Sequence, residues 1–188
     1  MIILAIMKVS RLVNFRLAKK YDIDKICEIV EENVILMNKN GNFQWSEKYP
    51  LYEDFYGDYL KNSLYVLENN EILGFLTLDF NKPEEYKDIL WKNEKKSIYL
   101  HRMAVSKIYH KKGTGFKLLK YAYDISKQLN VENIRTDTSE KNFKMKNLLL
   151  NAKLIKLTDE CLLVLSQTQN KWFMTNITNK TVLKMMDG

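Results

Sequence analysis

Apolar residues recur along this chain with two periods, and the switches between them predict its elements. Weak alternation over Leu12 to Leu17 reads as a first strand. Ile26, Val30, Val34 and Met37 then share one face of a helix that Asp22 or Asp24 caps at its start and Asn40-Gly41 stops. From Phe43 to Tyr59 the chain is dense in aromatics (Trp45, Tyr49, Tyr52, Phe55, Tyr56, Tyr59) around Pro50, a loop leading into a short second helix. Leu64 to Leu67 and Ile72 to Phe80, joined across Glu68 to Glu71, read as an antiparallel hairpin. An excursion opens at Pro83, and Ile98 to Val105 then reads as a buried strand. Leu118, Ala122, Ile125 and Leu129 give the buried face of a helix from about Gly115 to Leu129, followed by a strand at Asn133 to Thr138. Met145, Leu148, Leu149 and Ala152 mark a last helix with Ser139 or Asn142 near its cap, and two further strands are expected at Cys161 to Leu165 and Trp172 to Ile177.

Between the Ile98–Val105 strand and the next helix stands the run His110, Lys111, Lys112, Gly113, Thr114, Gly115. The chain has only six glycines, and two of them sit here two residues apart. Glycine ahead of a helix lets the backbone approach a ligand closely and present N–H groups that no helical carbonyl can accept, the arrangement that holds a phosphate. A Gly-x-Gly is also an ordinary tight turn. The strand before this one and the amphipathic helix after it supply the context that phosphate cradles share.

Composition narrows the picture. With 188 residues and 46% hydrophobic content the chain can build one sizeable core, and no linker, repeat or low-complexity tract divides it, so residues 1–188 read as a single domain. Cys27 and Cys161 are far apart and Cys27 falls in an apolar helical pattern, which predicts free thiols in a reducing, cytoplasmic setting. No apolar run approaches the ~20 residues of a membrane-spanning helix. The formal net charge of +7 favours an anionic ligand, yet the lysines are scattered along the whole chain, as on a solvated surface.

The order of elements, and the residues at their junctions, resemble the GNAT superfamily of acyl-CoA-dependent N-acetyltransferases. The likeness runs from about Phe15 to Ile155 and rests on Leu100 to Val105, then His110 to Gly115, then Arg135 to Thr138, then Ser139 to Asn142 leading into Met145 and Leu148 to Leu150. The segment from Trp45 to Pro50 is similar to a Trp-x3-Tyr-Pro element of a bacterial subgroup. The resemblance implies an α/β fold with a mixed central sheet of about seven strands, about four flanking helices, and fourth and fifth strands that splay apart.

It also implies roles. Acetyl-CoA would be the co-substrate, with no metal. Its pantetheine arm would bond the backbone of Met103, Ala104 and Val105 like an added strand, and its pyrophosphate would rest on the N–H groups of Lys111, Lys112, Gly113, Thr114 and Gly115. His110 stands where the family usually has Arg or Gln, and Asn142 matches an asparagine near the cofactor's thiol end, though it equally suits a helix cap. His101 occupies a strand position where many relatives carry an acid and is the candidate base; a half-buried structural histidine is the competing account. Strand alternation would put its side chain on the face of Met103 and Val105. Asp137 would bind the amine or cap a turn, and Trp45 and Tyr49 would line the acceptor pocket. Leu149 stands where a general-acid tyrosine is expected, so the leaving thiolate would take its proton from Tyr123, water or the incoming ammonium. Lys153-Leu154 replaces the usual Gly-Phe.

The acceptor expected is a primary amine of a small molecule, amino acid or peptide. An RNA-linked amine, and a CoA-binding module without catalysis, are the alternatives. No membrane partner is expected, and the chain would be a monomer or homodimer.

Overall fold

A computed structural model describes residues 13–87, 95–154, 166–168 and 171–174. Its strands are β1 (Asn14–Leu17), β2 (Leu64–Glu68), β3 (Ile72–Asp79), β4 (Ser97–Val105), β5 (Asn133–Ser139), β6 (Ser166–Thr168) and β7 (Lys171–Met174). The helices are α1 (Ile23–Lys39), α2 (Tyr52–Leu60), α3 (Thr114–Gln128) and α4 (Phe143–Leu154). The strands lie side by side in the order β1-β2-β3-β4-β5-β7-β6. β4 and β5 run parallel, while the other neighbours are antiparallel, so the sheet is mixed. The expected strand at Cys161 to Leu165 lies outside the described residues.

Each face of the sheet carries its own core. Under α1 and α2, Ile23, Ile26, Ile29, Val30 and Val34 pack with Phe55, Val66, Phe75 and Ala104. Under α3, Leu118 and Ala122 pack with Leu76, Leu78, Ile98 and Leu100. The hairpin's apolar run is nearly continuous because β3 is covered on both sides, and every residue from Ile72 to Leu78 is buried.

Two local expectations are corrected. Leu129 is 44% exposed, because α3 ends at Gln128 and Leu129 is its C-terminal cap; Ser126 completes the buried face with Leu118 and Ala122, and Val131 returns to the core. Asp22 immediately precedes α1 without capping it by its side chain. Its carboxylate instead accepts the Lys19 N–H at 2.6 Å and the Arg16 guanidinium at 2.6 Å, tying β1 to the turn before the helix. Gly41, at φ +70°, does end α1 in the left-handed region that suits glycine.

Candidate active site

The parallel pairing of β4 with β5 covers only Ser97↔Asn133, Ile98↔Ile134 and Tyr99↔Arg135. β4 then continues to Val105 without β5 beside it in register, and β5 from Thr136 to Ser139 pairs on its other side with β7. The Thr136 hydroxyl donates to the Leu100 carbonyl at 2.9 Å, closing the base of the opening. Beyond that point no β4–β5 pairing continues, and a strand-like ligand placed there would meet the β4 backbone. The Val105 carbonyl is already taken: the Asn33 amide donates to it at 3.0 Å and His110 Nε2 lies 2.9 Å away.

This second contact explains the histidine at a position where an arginine or glutamine was expected. His110 braces the end of β4. The turn after it places Lys111 at φ 59° and Gly113 at φ 76°, and α3 starts at Thr114, so consecutive backbone N–H groups converge at a helix start. The two glycines serve different ends. A Cβ on Gly113 would meet nothing within 4 Å, and its requirement is conformational; a Cβ on Gly115 would stand 2.9 Å from Leu148 Cδ2, so a side chain there would displace the end of Leu148. Lys112 lies over the Tyr109 ring at 5.2 Å, and Lys111 is exposed at the same turn.

His101 is not on the face of Met103 and Val105. β3 and β4 pair at Phe75↔Ala104 and at Thr77↔His101, two residues apart on one strand and three on the other. The extra residue is a bulge on β4, and a bulge reverses the alternation beyond it. Met103 and Val105 therefore pack toward α3, whereas Ala104 packs with Phe75 toward α1 and α2. His101 shares that second face with its partner Thr77, whose hydroxyl donates to Asp58 of α2 at 2.8 Å.

That face brings together residues the sequence did not connect. His101 Nε2 lies 3.3 Å from Asp79 Oδ1, and its ring stacks near Tyr99. Burial works to raise the Asp79 carboxyl, but hydrogen bonds from His101 and the Asn81 N–H outweigh it and hold the group below its ordinary value. On the far side of the opening, Asp137 accepts the hydroxyl of the fully buried Tyr86 at 2.6 Å, and Tyr86 packs against Tyr99. Because Tyr99 and Arg135 are directly paired, His101 and Asp137, each two residues further on, stand at corresponding positions on the same face across the mouth of the splay.

Arg102, beside the bulge, donates from Nε to Asp58 at 3.1 Å and from Nη2 at 2.9 Å, and from Nη1 to the Tyr49 hydroxyl at 3.3 Å. Burial disfavours its charge, yet the Asp58 carboxylate and the Tyr49 oxygen hold its pKa above the ordinary value. Tyr49 is 42% exposed on the rim, whereas Trp45 is 8% exposed and packs in the core under α1 and α2. The neighbouring Gln44 carbonyl oxygen accepts the Ser139 N–H at 3.0 Å and the Thr138 hydroxyl at 3.3 Å, with the Asn142 amide at 3.5 Å. Asn142 also caps α4, accepting the Met145 N–H at 3.2 Å. Leu149 is buried.

Sequence reasoning missed Asp79, Asp58, Arg102, Tyr86 and Gln44. Asp79 and Arg102 carry a signal, since each is a charge within or at the end of a strand's apolar run. Gln44 carries none. Among the described residues no cluster of His, Cys, Asp and Glu is arranged to hold a metal ion, and no helix is long and apolar enough to cross a membrane.

A mixed sheet splayed between parallel strands, opening onto a glycine turn at a helix start, is the architecture of an acyl-CoA-dependent transferase. The acetyltransferase (GNAT) family model matches residues 27–151, and the chain belongs to that family. The uncharacterised N-acetyltransferase YesJ of Bacillus subtilis strain 168 is 29% identical over 105 residues, which are 54% of this chain and 58% of that protein's length. The crystal structure of a GNAT-family acetyltransferase from Streptococcus agalactiae 2603 superposes with a TM-score of 0.74 at 22% identity, over 89% of this chain and 96% of the other. A candidate acetyltransferase from Staphylococcus aureus Mu50 is 34% identical, with a TM-score of 0.65 over 86% of this chain and 96% of its own.

Proposed function

We propose that this protein transfers the acetyl group of acetyl-CoA to a primary amine of a small molecule, amino acid or peptide. The observation that carries this reading is the end of the β4–β5 pairing at Tyr99↔Arg135, with the Lys111–Gly115 turn beyond the end of β4 and with His101 and Asp137 at corresponding positions on one face of the sheet. The residues fit the cofactor: the splay offers β4 backbone groups to a pantetheine arm, and the turn offers N–H donors to a pyrophosphate. Acetyl-CoA supplies an activated acyl carbon as a thioester.

The rest falls to the chain. An amine is protonated at neutral pH and cannot attack until it loses a proton, so a base must stand beside it. His101 takes that proton. Asp137 orients the amine from the opposite strand, held in place by the Tyr86 hydroxyl. A backbone N–H in the Met103–Val105 stretch stabilises charge developing on the carbonyl oxygen. Tyr49, on the exposed rim and fixed by Arg102, borders the acceptor, while Trp45 supports that wall from beneath. With Leu149 at the family's tyrosine position, the departing thiolate takes its proton from water or from the ammonium.

Thermal denaturation with acetyl-CoA, CoA and a panel of amines tests the reading. Ligand at 100 times its dissociation constant stabilises the fold by about 2.7 kcal/mol, and thiol release in the presence of the stabilising amine then identifies turnover. No shift with acetyl-CoA at millimolar concentration would remove the proposal.

A further inference from the structure

We propose that Asp79 is the positioning residue of His101, holding its Nε2–H so that Nδ1 is the nitrogen that receives the acceptor's proton. The inference rests on the reading of His101 as base given above. An ionised carboxylate can only accept hydrogen bonds, so the imidazole nitrogen facing it carries the hydrogen, and the neutral ring keeps its lone pair on the other nitrogen. That facing nitrogen is Nε2, 3.3 Å from Asp79 Oδ1. The carboxylate is itself fixed, because Oδ1 also accepts the Asn81 N–H at 2.8 Å. Both side chains are largely withdrawn from solvent, 21% exposed for His101 and 15% for Asp79. The Tyr99 ring, 6.4 Å away and inclined by 25°, limits the tilt of the imidazole.

Arg102 is committed to Asp58 of α2 and to Tyr49, and Asp137 of β5 is engaged by Tyr86. In the step itself, one N–H bond of the ammonium breaks and leaves its electron pair on the amine nitrogen. One N–H bond forms at Nδ1. The positive charge passes from the amine to the ring, where it faces the Asp79 carboxylate, and the ring is restored by loss of that proton to solvent. A bond at the long end of the hydrogen-bond range shortens once its donor is charged.

The test compares Asp79→Asn, Asp79→Glu and His101→Gln with the wild-type chain. Long-range proton–nitrogen NMR of the imidazole in the free protein reads the tautomer of His101 directly. Wild type is expected to show Nε2–H. In Asp79→Asn the side chain can turn either its oxygen or its NH2 toward Nε2, so the preference for Nε2–H is lost and the Nδ1–H form becomes populated. Acetyl transfer in Asp79→Asn drops roughly 10²–10⁴-fold in kcat with KM for acetyl-CoA unchanged, and Asp79→Glu recovers part of the loss together with the Nε2–H tautomer. A wild-type Nδ1–H tautomer overturns the proposal, whether or not Asp79→Asn folds. So does an unchanged tautomer in a folded Asp79→Asn that keeps full activity while His101→Gln remains impaired. Full activity in His101→Gln instead removes the base reading, and the role of Asp79 in transfer goes with it.

Discussion

His101→Gln should lower kcat/KM by roughly 10²–10⁴-fold while CoA binding persists. Residual activity remains, because backbone donors and proximity still operate. Gly113→Val acts through φ alone, since the space beside it is open; it should raise the Kd of acetyl-CoA at least tenfold, about 1.4 kcal/mol, by isothermal titration with the far-UV spectrum intact. Asp58 is buried at 3% exposure and serves both Arg102 and Thr77. Its replacement by alanine strands a partly buried guanidinium, and urea denaturation should show a loss of about 3–5 kcal/mol. At this scale the candidate residues His101, Asp137 and Asn142 were legible, because polar residues at strand ends and helix starts stand out against apolar runs. The side of the sheet His101 occupies was not legible. One additional residue in β4 decides it, and a bulge leaves no mark in a string of residues that alternates well enough either way.

The pairing of elements has its own tests. A Cβ on Gly115 would crowd the Leu148 side chain, so Gly115→Ala and Leu148→Ala should be coupled, alanine at 115 being better tolerated once Leu148 is truncated; the coupling is read from a double-mutant cycle in urea. β1 is an edge strand held by Arg16, which bridges Asp22 and Glu68 at 2.6 Å each. The Arg16 hydrogen bond, aided by that of Asn14, depresses the Glu68 carboxyl. A depressed carboxylate stabilises the fold in full above its unfolded value of about 4.3 and loses that contribution as pH falls through the folded value. Melting temperatures should therefore converge for wild type and Glu68→Gln as acidity increases below pH ~4, by a small margin given the exposure of the pair. Helices α1, α3 and α4 and strands β1 to β5 were legible from periodicity, whereas β6 was not expected. Helix ends were less so, and α3 shows why: Leu129 keeps the spacing of a buried face but lies one residue past the last helical turn.

For the molecule as a whole, the order of elements and the glycine turn were enough to point to the family. The acceptor was not legible, because the polar contacts near the strand ends, Tyr86 with Asp137 and Arg102 with Asp58 and Tyr49, join residues far apart in the chain that meet only through the fold. The join between β4 and β5 has a mechanical meaning. Three residue pairs are the whole direct ladder between the half-sheet β1-β2-β3-β4 and the half-sheet begun by β5, whereas β3 and β4 are joined along most of their length. The sheet is perforated there, and it should tear along that line first. Amide exchange should thus reveal two cooperative blocks, with the backbone N–H groups of β5 opening at lower free energy than those of β3. A ligand lying in the gap acts as a rivet: acetyl-CoA should slow exchange in β5 more than in β2, drawing the two blocks toward a single unfolding event.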